Sequence, residues 1–212
     1  MNKAQNFWDK QAKRYDTSER QFESVFKDVV AKTKEYLNPT DTVLDFGCAT
    51  GTKTLELVDS ARHVHGIDIS TEMINEAIKK KDQEGIENAS FAQGTIFTPD
   101  LEPATFDAIV SYGVIHLLDD SEKAIRRIHD LLKPGGLFIS TTACLQEKMA
   151  FKNRLEFSAY TIIKKLGIFP LHLNLFTISD VENLISSQSF SLVKTETIFH
   201  GITISFVVAK KQ

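Results

Sequence analysis

Two short segments contain residue types that can bind a nucleoside. Asp45 ends an apolar run and is followed by Gly47 and Gly51, which let the backbone turn tightly against a ligand. Asp68 ends the next apolar run, where a carboxylate can accept hydrogen bonds from both ribose hydroxyls. Alone, the first segment fits a plain strand–helix turn and Asp68 fits a helix cap. Together they favour an adenosine ligand.

The glycine spacing distinguishes between adenosine ligands. A dinucleotide fold has G-x-G-x-x-G and a phosphate loop has G-x-x-x-x-G-K-[ST], and the sequence contains neither pattern. Because the carboxylate of Asp45 would repel a pyrophosphate, the segment favours a ligand with an ammonium group. A nicotinamide-dependent oxidoreductase remains an alternative, since it shares the topology and the acid at position 68.

Alternating strands and helices are predicted to position these segments. Short apolar runs typical of buried strands lie at 42–46, 63–69, 89–94, 106–111 and 136–142. Helical segments separate most of them, so the strands should be parallel with right-handed crossovers in a doubly wound α/β sheet. Ligands of such sheets bind beyond the carboxyl ends of the strands.

The flanking segments predict further helices and a hairpin. An apolar helical face predicts a helix over 20–37, and Ser70 can cap the helix that follows it. Thr177 begins a capping-box pattern at the start of a late helix. Strand-like runs at 191–199 and 202–209 are separated by two residues, which predicts an antiparallel hairpin.

Four strings resemble the class I S-adenosylmethionine-dependent methyltransferases. They lie at 43–51, 66–70, 106–111 and 131–136, in the family's order. The end of the chain resembles the small-molecule branch of that family. The resemblance implies a Rossmann-like, seven-stranded, mostly parallel sheet of order 3-2-1-4-5-7-6. It also implies transfer of a methyl group from S-adenosylmethionine to a small-molecule acceptor by in-line displacement, with S-adenosylhomocysteine as the product.

The resemblance also implies a set of cofactor-binding residues. Asp45 would lie near the methionine ammonium group, Asp68 would hold the ribose, and Ser111 would lie beneath the sulfonium. The other expected residues are Trp8, Tyr15, Gly47, Ala49, Thr50, Gly51, Ile69, Met73, Thr95 and Ile96. Two of them depart from the family, which often has glycine in place of Ala49 and an acid in place of Thr95.

Three histidines are candidates for chemistry. His116 follows the fourth strand and is the candidate general base, since an unperturbed imidazole titrates near pH 6.5. The alternative role for His116 is to shape the acceptor pocket. His63 and His65 share one strand face, but no neighbouring acid or thiol completes a metal site, so we expect no metal.

The chain is expected to form one domain with four parts. They are an N-terminal lid at about 1–37, a cofactor-binding core at about 41–143, a helical cap at about 145–176, and a closing helix and hairpin at about 177–210. The expected apolar residues of the cap are Phe151, Phe157, Tyr160, Phe169 and Leu173.

Composition excludes several classes of protein. Lys and Arg number 25 against 28 Asp and Glu, and this net charge of −3 disfavours a nucleic-acid partner. No apolar run approaches the roughly 20 residues that span a bilayer, and two cysteines exclude a disulfide scaffold. A cytoplasmic enzyme is expected, with its acceptor and oligomeric state open. A non-catalytic S-adenosylmethionine-binding module is the second hypothesis.

Overall fold

A single seven-stranded sheet forms the centre of the molecule. The structure, a computed structural model, describes residues 3–153, 157 and 171–212. The strands are β1 (Thr42–Phe46), β2 (His63–Asp68), β3 (Ala89–Gln93), β4 (Phe106–Tyr112), β5 (Leu132–Ala143), β6 (Phe190–His200) and β7 (Ile202–Lys211). Their order is β3-β2-β1-β4-β5-β7-β6, with β1 to β5 parallel and β7 antiparallel to both neighbours. The expected strand order and terminal hairpin are confirmed.

Six helices are described around this sheet. They are α1 (Lys3–Glu19), α2 (Glu23–Lys34), α3 (Thr52–Glu56), α4 (Thr71–Gln83), α5 (Ser121–Leu131) and α6 (Ile178–Ser186). The helix predicted over 20–37 is shorter than expected, because a 3₁₀ turn at Arg20–Phe22 joins α1 to α2. The strand predicted at 136–142 begins earlier, at Leu132.

Side-chain caps fix where the helices begin. The Ser70 hydroxyl accepts a hydrogen bond from the Met73 amide at the start of α4, as predicted. Thr177 and Asp180 form the predicted reciprocal capping box at the start of α6. These caps satisfy amides that the first helical turn leaves unpaired, so the helix starts are defined by sequence.

Alternate residues of the central strands pack on opposite faces of the sheet. Leu44 and Ile109 belong to a core that includes Ile125 of α5, whereas Val43 belongs to a core with Val29 of α2. Covering both faces leaves the carboxyl ends of β1, β2 and β4 side by side, because β1 pairs with both other strands. This edge is where ligands bind in doubly wound sheets.

Two features are absent from the part of the chain that the structure describes. No helix of the described residues is long and apolar enough for a membrane crossing. The same residues contain no group of three or more His, Cys, Asp or Glu side chains arranged to hold a metal ion. His63 and His65 instead each lie 2.8 Å from the Ser90 hydroxyl, which joins them in a local hydrogen-bonded cluster.

Candidate functional site

A cavity of about 420 Å³ lies at the carboxyl ends of the central strands. Its size lies in the range of about 300–1,000 Å³ that is typical of small-ligand sites. Residues from α1, from the loop after β1, from the end of β2 and from the loop after β4 form its walls. The predicted residues that line it are Trp8, Tyr15, Gly47, Ala49, Asp68, Ile69, Met73, Thr95 and Ile96.

The turn after β1 has an alternating left-handed backbone. Gly47, Ala49 and Gly51 have φ angles of +78°, +48° and +75°. A Cβ atom on Gly47 would lie 2.3 Å from Cγ2 of Val114, a cavity residue, so glycine keeps the turn close to the cavity wall.

Gly51 has a packing role in the same turn. A Cβ atom there would lie 2.8 Å from Cβ of Ala77 and from Cζ of Phe91, on α4 and β3. Among the described residues Gly51 does not line the cavity. Its small size therefore places the turn against the neighbouring elements, and its direct contact with the cofactor stays a prediction.

The strained alanine of this turn leads to a stability prediction. A non-glycine residue in the left-handed region costs roughly 1–2 kcal/mol, and glycine loses about 0.5–1 kcal/mol through unfolded-chain entropy. We therefore expect Ala49→Gly to raise the melting temperature by about 2–4 °C, measured by calorimetry.

Two alanines provide controls for this measurement. Ala104, with φ +50°, lies in the turn before β4, so Ala104→Gly should give a similar gain. Ala12 is buried in α1, and Ala12→Gly should lower the melting temperature. Lower melting temperatures for both Ala49→Gly and Ala104→Gly would contradict the argument that a left-handed backbone strains alanine at these positions.

The carboxylate of Asp68 is held by two backbone amides. One oxygen accepts a hydrogen bond from the Ala49 amide at 3.1 Å and the other from the Ser70 amide at 2.9 Å. Burial raises the pKa of this carboxyl above its ordinary value. Each oxygen retains capacity for another hydrogen bond, so Asp68 presents a fixed acceptor pair at the cavity wall.

Asp45 lies fully buried at the end of β1, only 1% exposed. One of its oxygens accepts a hydrogen bond from the Thr54 hydroxyl at 2.6 Å, whereas the other has no partner within the described part of the chain. Burial raises the pKa of this carboxyl to about 6. A cationic group near this acid would offset the cost of its desolvation.

Two other predicted residues point away from the cavity. The Thr50 hydroxyl donates to Asp16 of α1 at 2.5 Å. The Ser111 hydroxyl donates to the Phe46 carbonyl at 3.1 Å and so ties β4 to β1. Thr50 and Ser111 do not line the cavity within the described chain, and their contact with a cofactor stays a prediction.

Ile69, Met73 and Ile96 form an apolar part of the cavity wall. Beside them, the Thr95 hydroxyl accepts a hydrogen bond from the Phe97 amide at 3.1 Å and can still donate its proton. A flat, apolar heterocycle fits these surroundings. Thr95 thus offers a neutral hydroxyl where the family resemblance led us to expect an acid.

His116 occupies a less favourable position for acid–base chemistry than expected. Its ring does not line the cavity, and Nδ1 is buried with no hydrogen-bond partner in the described residues. Burial lowers the pKa of this imidazole to about 4, which makes it a weak base at neutral pH. Its role as a general base stays a prediction.

The described part of the predicted cap contributes directly to the cavity. Leu171 and His172 line it, and the Asn174 side chain donates to the Leu118 carbonyl at 2.7 Å. Phe151 is 78% exposed and does not pack into a lid as expected. Tyr160 and Phe169 lie outside the described residues.

Several cavity residues were missed by sequence reasoning. They are Ala4, Phe46, Phe97, Tyr112, Gly113, Val114, Leu117, Leu118, Asp119, Asp120, Lys123 and Ala124. Most of them follow β4 or flank its loop. The strand order reverses between the neighbouring strands β1 and β4, and ligands of doubly wound sheets bind at such a switch point. The loop after β4 could therefore have been predicted to line the cavity.

Comparison with known families decides the class of this protein. The family described as "Methyltransferase domain" matches residues 37–188. The chain belongs to this methyltransferase family. The expected class I S-adenosylmethionine-dependent methyltransferase is thus confirmed, and the oxidoreductase alternative has no support.

Individual relatives agree with this assignment. The methyltransferase is 31% identical over 160 residues to an uncharacterized methyltransferase of Oceanobacillus iheyensis, covering 72% of this chain and 73% of the relative. It is 38% identical over 104 residues to the aklanonic acid methyltransferase of Streptomyces sp. (strain C5), covering 47% of each chain.

Solved structures agree on the fold. A phosphoethanolamine N-methyltransferase 2 of Haemonchus contortus, in complex with S-adenosyl-L-methionine, gives a TM-score of 0.71 at 17% identity. That similarity covers 87% of this chain and 52% of the other. The YcgJ protein of Bacillus subtilis also gives 0.71, at 16% identity, and covers 88% and 99% of the two chains.

Proposed function

We propose that this methyltransferase transfers the methyl group of S-adenosylmethionine to a small-molecule acceptor that binds in the cavity beside it. The observation that carries the proposal is the carboxylate of Asp68, which two amides fix at the cavity wall. Its oxygens lie between the glycine turn and the apolar wall, where a ribose would connect a methionine moiety to an adenine.

The residues present suit each part of the cofactor. Within the described chain Asp45 does not line the cavity, but its buried carboxylate next to the glycine turn supplies negative charge that suits the methionine ammonium group, which needs a counter-ion when it leaves water. Asp68 can accept hydrogen bonds from the two ribose hydroxyls. Ile69 and Ile96 provide apolar contacts for the adenine.

The shape of the site supports a small acceptor. Trp8 and Tyr15 of α1 and Leu171 line the cavity, so an acceptor must fit between these side chains and the cofactor. The names of two similar proteins specify small acceptors, aklanonic acid and phosphoethanolamine. A net charge of −3 gives little general attraction for a nucleic-acid acceptor.

The bound cofactor supplies an electrophilic methyl group on a sulfonium. Asp45 and Asp68 would hold the cofactor while its methyl group passes to the acceptor, which would lose a proton, and S-adenosylhomocysteine would be the other product. This chain aligns the reactants and excludes bulk water through α1 and the loop after β4. Alignment alone can contribute roughly 7–11 kcal/mol, so a strong general base is unnecessary.

The test has two steps that use the purified chain. Calorimetry compares S-adenosylmethionine, S-adenosylhomocysteine and NAD⁺, and the first two should bind while the third does not. The chain is then incubated with methyl-labelled cofactor and a cell extract, which is separated into small-molecule and macromolecular fractions. Label in the small-molecule fraction supports the proposal, whereas label only in macromolecules, or binding without transfer, contradicts it.

A further inference from the structure

α1 walls the cavity although few of its apolar side chains are buried. Its only buried residue is Ala12, whereas α2 buries Val25, Val29, Val30 and Thr33. Trp8 and Tyr15 of α1 nevertheless line the cavity, Tyr15 deep enough that burial raises its pKa. The attachment of this helix therefore depends strongly on polar contacts.

One of these contacts joins the first half of α1 to the start of α4. An oxygen of Asp9 accepts a hydrogen bond from the Ser70 hydroxyl at 2.6 Å and from the Glu72 amide at 3.2 Å. Ser70 is itself the cap of α4, so Asp9 extends that cap with a negative charge. A carboxylate at a helix N-terminus is electrostatically favourable.

A second contact joins the second half of α1 to the glycine turn and to α4, and Glu19 at the end of α1 adds an ion pair with Lys53 at 3.5 Å. Asp16 lies 2.6 Å from the Lys80 ammonium and accepts the Thr50 hydroxyl at 2.5 Å. Lys80 also donates to Thr50 at 3.0 Å and to Thr52 at 2.7 Å. The Asp16 carboxylate of α1 is thereby hydrogen-bonded to the turn that surrounds the proposed methionine site.

The helical repeat relates these contacts to the cavity. Asp9 and Asp16 are seven residues apart, as are Trp8 and Tyr15, so each pair occupies nearly one line along α1. The aspartates lie on the side of α1 that contacts α4, and the aromatic residues lie toward the cavity. Fastening both aspartates therefore fixes both aromatic rings at once.

We propose that Asp9 and Asp16 are positioning residues that, with Lys80, clasp α1 over the bound cofactor and set the rate of its release. The inference rests on the proposed function, because it requires the cofactor to bind beneath Trp8 and Tyr15. Half-exposed ion pairs are individually weak, and Asp16 is 51% exposed. Such a clasp can hold the lid during a reaction cycle and still open for exchange.

The test exchanges the two charges of the second contact. Asp16→Lys, Lys80→Asp and the double variant with both changes are compared with the unaltered chain. Release of S-adenosylhomocysteine is followed by stopped-flow fluorescence, because Trp8 is the single tryptophan. Each single variant should release the product about three- to tenfold faster, and the double variant should return toward the original rate.

Further variants separate clasping from general stability. Asp9→Ala should accelerate release by a similar factor, whereas Arg14→Glu, on an exposed part of α1, should not. The melting temperature of the cofactor-free variants should stay within a few degrees of the original. If these residues only support the fold, the melting temperature should fall in the single variants and recover in the double variant together with the release rate.

The outcomes distinguish the inference from the function on which it rests. If the unaltered chain binds neither S-adenosylmethionine nor S-adenosylhomocysteine, the proposed function fails. If the unaltered chain binds them but the single variants release product at the original rate, the clasp is wrong. Acceleration in both single variants without recovery in the double variant also overturns the clasp.

Discussion

Asp68→Ala is expected to weaken the binding of S-adenosylmethionine by about a hundredfold while the sheet stays folded. A hydrogen bond to a charged group contributes roughly 1.5–3 kcal/mol, and Asp68 has free acceptor capacity for two ribose hydroxyls. Every 1.4 kcal/mol is about a tenfold change in affinity. The substitution also removes the acceptor for the Ala49 amide, which loosens the glycine turn.

Calorimetric titration with S-adenosylmethionine measures this change. Asp68→Asn is the matched variant, since its amide keeps the shape but presents one acceptor oxygen and no charge. Its affinity for S-adenosylmethionine should lie between those of the unaltered chain and of Asp68→Ala. Asp59→Ala removes an exposed acid that pairs with Lys34 and serves as the surface control. Unchanged affinity in a folded Asp68→Ala protein would remove Asp68 from the cofactor site.

The sheet was predictable from sequence because its signals are local. Apolar runs bounded by glycine and polar residues correspond to β1, β2 and β3, and Ser70 and Thr177 cap helices where expected. The strand order came from resemblance to a family, since periodicity alone does not specify which strands are neighbours. Boundaries were less accurate, as with β5, which was predicted to begin at residue 136 and begins at Leu132.

Side-chain direction was the part of the site that sequence did not reveal. Thr50 and Ser111 lie at the expected ends of elements, yet their hydroxyls bond to Asp16 and to the Phe46 carbonyl. A motif specifies a position along the backbone, whereas tertiary neighbours decide which partner a hydroxyl reaches. Gly51 is similar, because its close neighbours come from α4 and β3.

In the N-terminal segment, too, the tertiary partners of polar side chains could not be predicted from sequence. Its resemblance to the family predicted a lid, and Trp8 and Tyr15 do line the cavity. The aspartates that follow each of them gave no separate signal, since an exposed acid on a helix is ordinarily solvated. Only the fold brings Asp9 to the start of α4 and Asp16 to Lys80.

Binding of S-adenosylmethionine is expected to weaken about tenfold between pH 7.5 and pH 5 through Asp45. Burial raises the pKa of this carboxyl to about 6. The cofactor's ammonium favours the ionised carboxylate, so binding below pH 6 must first remove a proton. Each pH unit below that pKa then lowers affinity by up to about tenfold.

Asp45 should also make the cofactor-free protein more stable on acidification, although it makes cofactor binding weaker. The unfolded carboxyl has a pKa near 3.9, so between about pH 4 and pH 6 the folded state binds the proton more strongly. Acidification from pH 7.5 to pH 5 should therefore stabilise the fold through Asp45, by about 1–2 kcal/mol. Denaturant unfolding at both pH values measures this contribution against the Asp45→Asn variant.

Asp45→Asn separates this acid from its neighbours. Asp68 also has a raised pKa and opposes binding at low pH in the same direction, so the variant should keep a residual pH dependence. The positive charge of Lys53 also acts on Asp45 and opposes the rise in the pKa of its carboxyl. The variant should bind more weakly at pH 7.5 and lose most of the acid-dependent weakening. An unaltered pH profile in Asp45→Asn would mean that Asp45 does not face the ammonium group, because an acid whose proton must leave on binding cannot be replaced without flattening the profile.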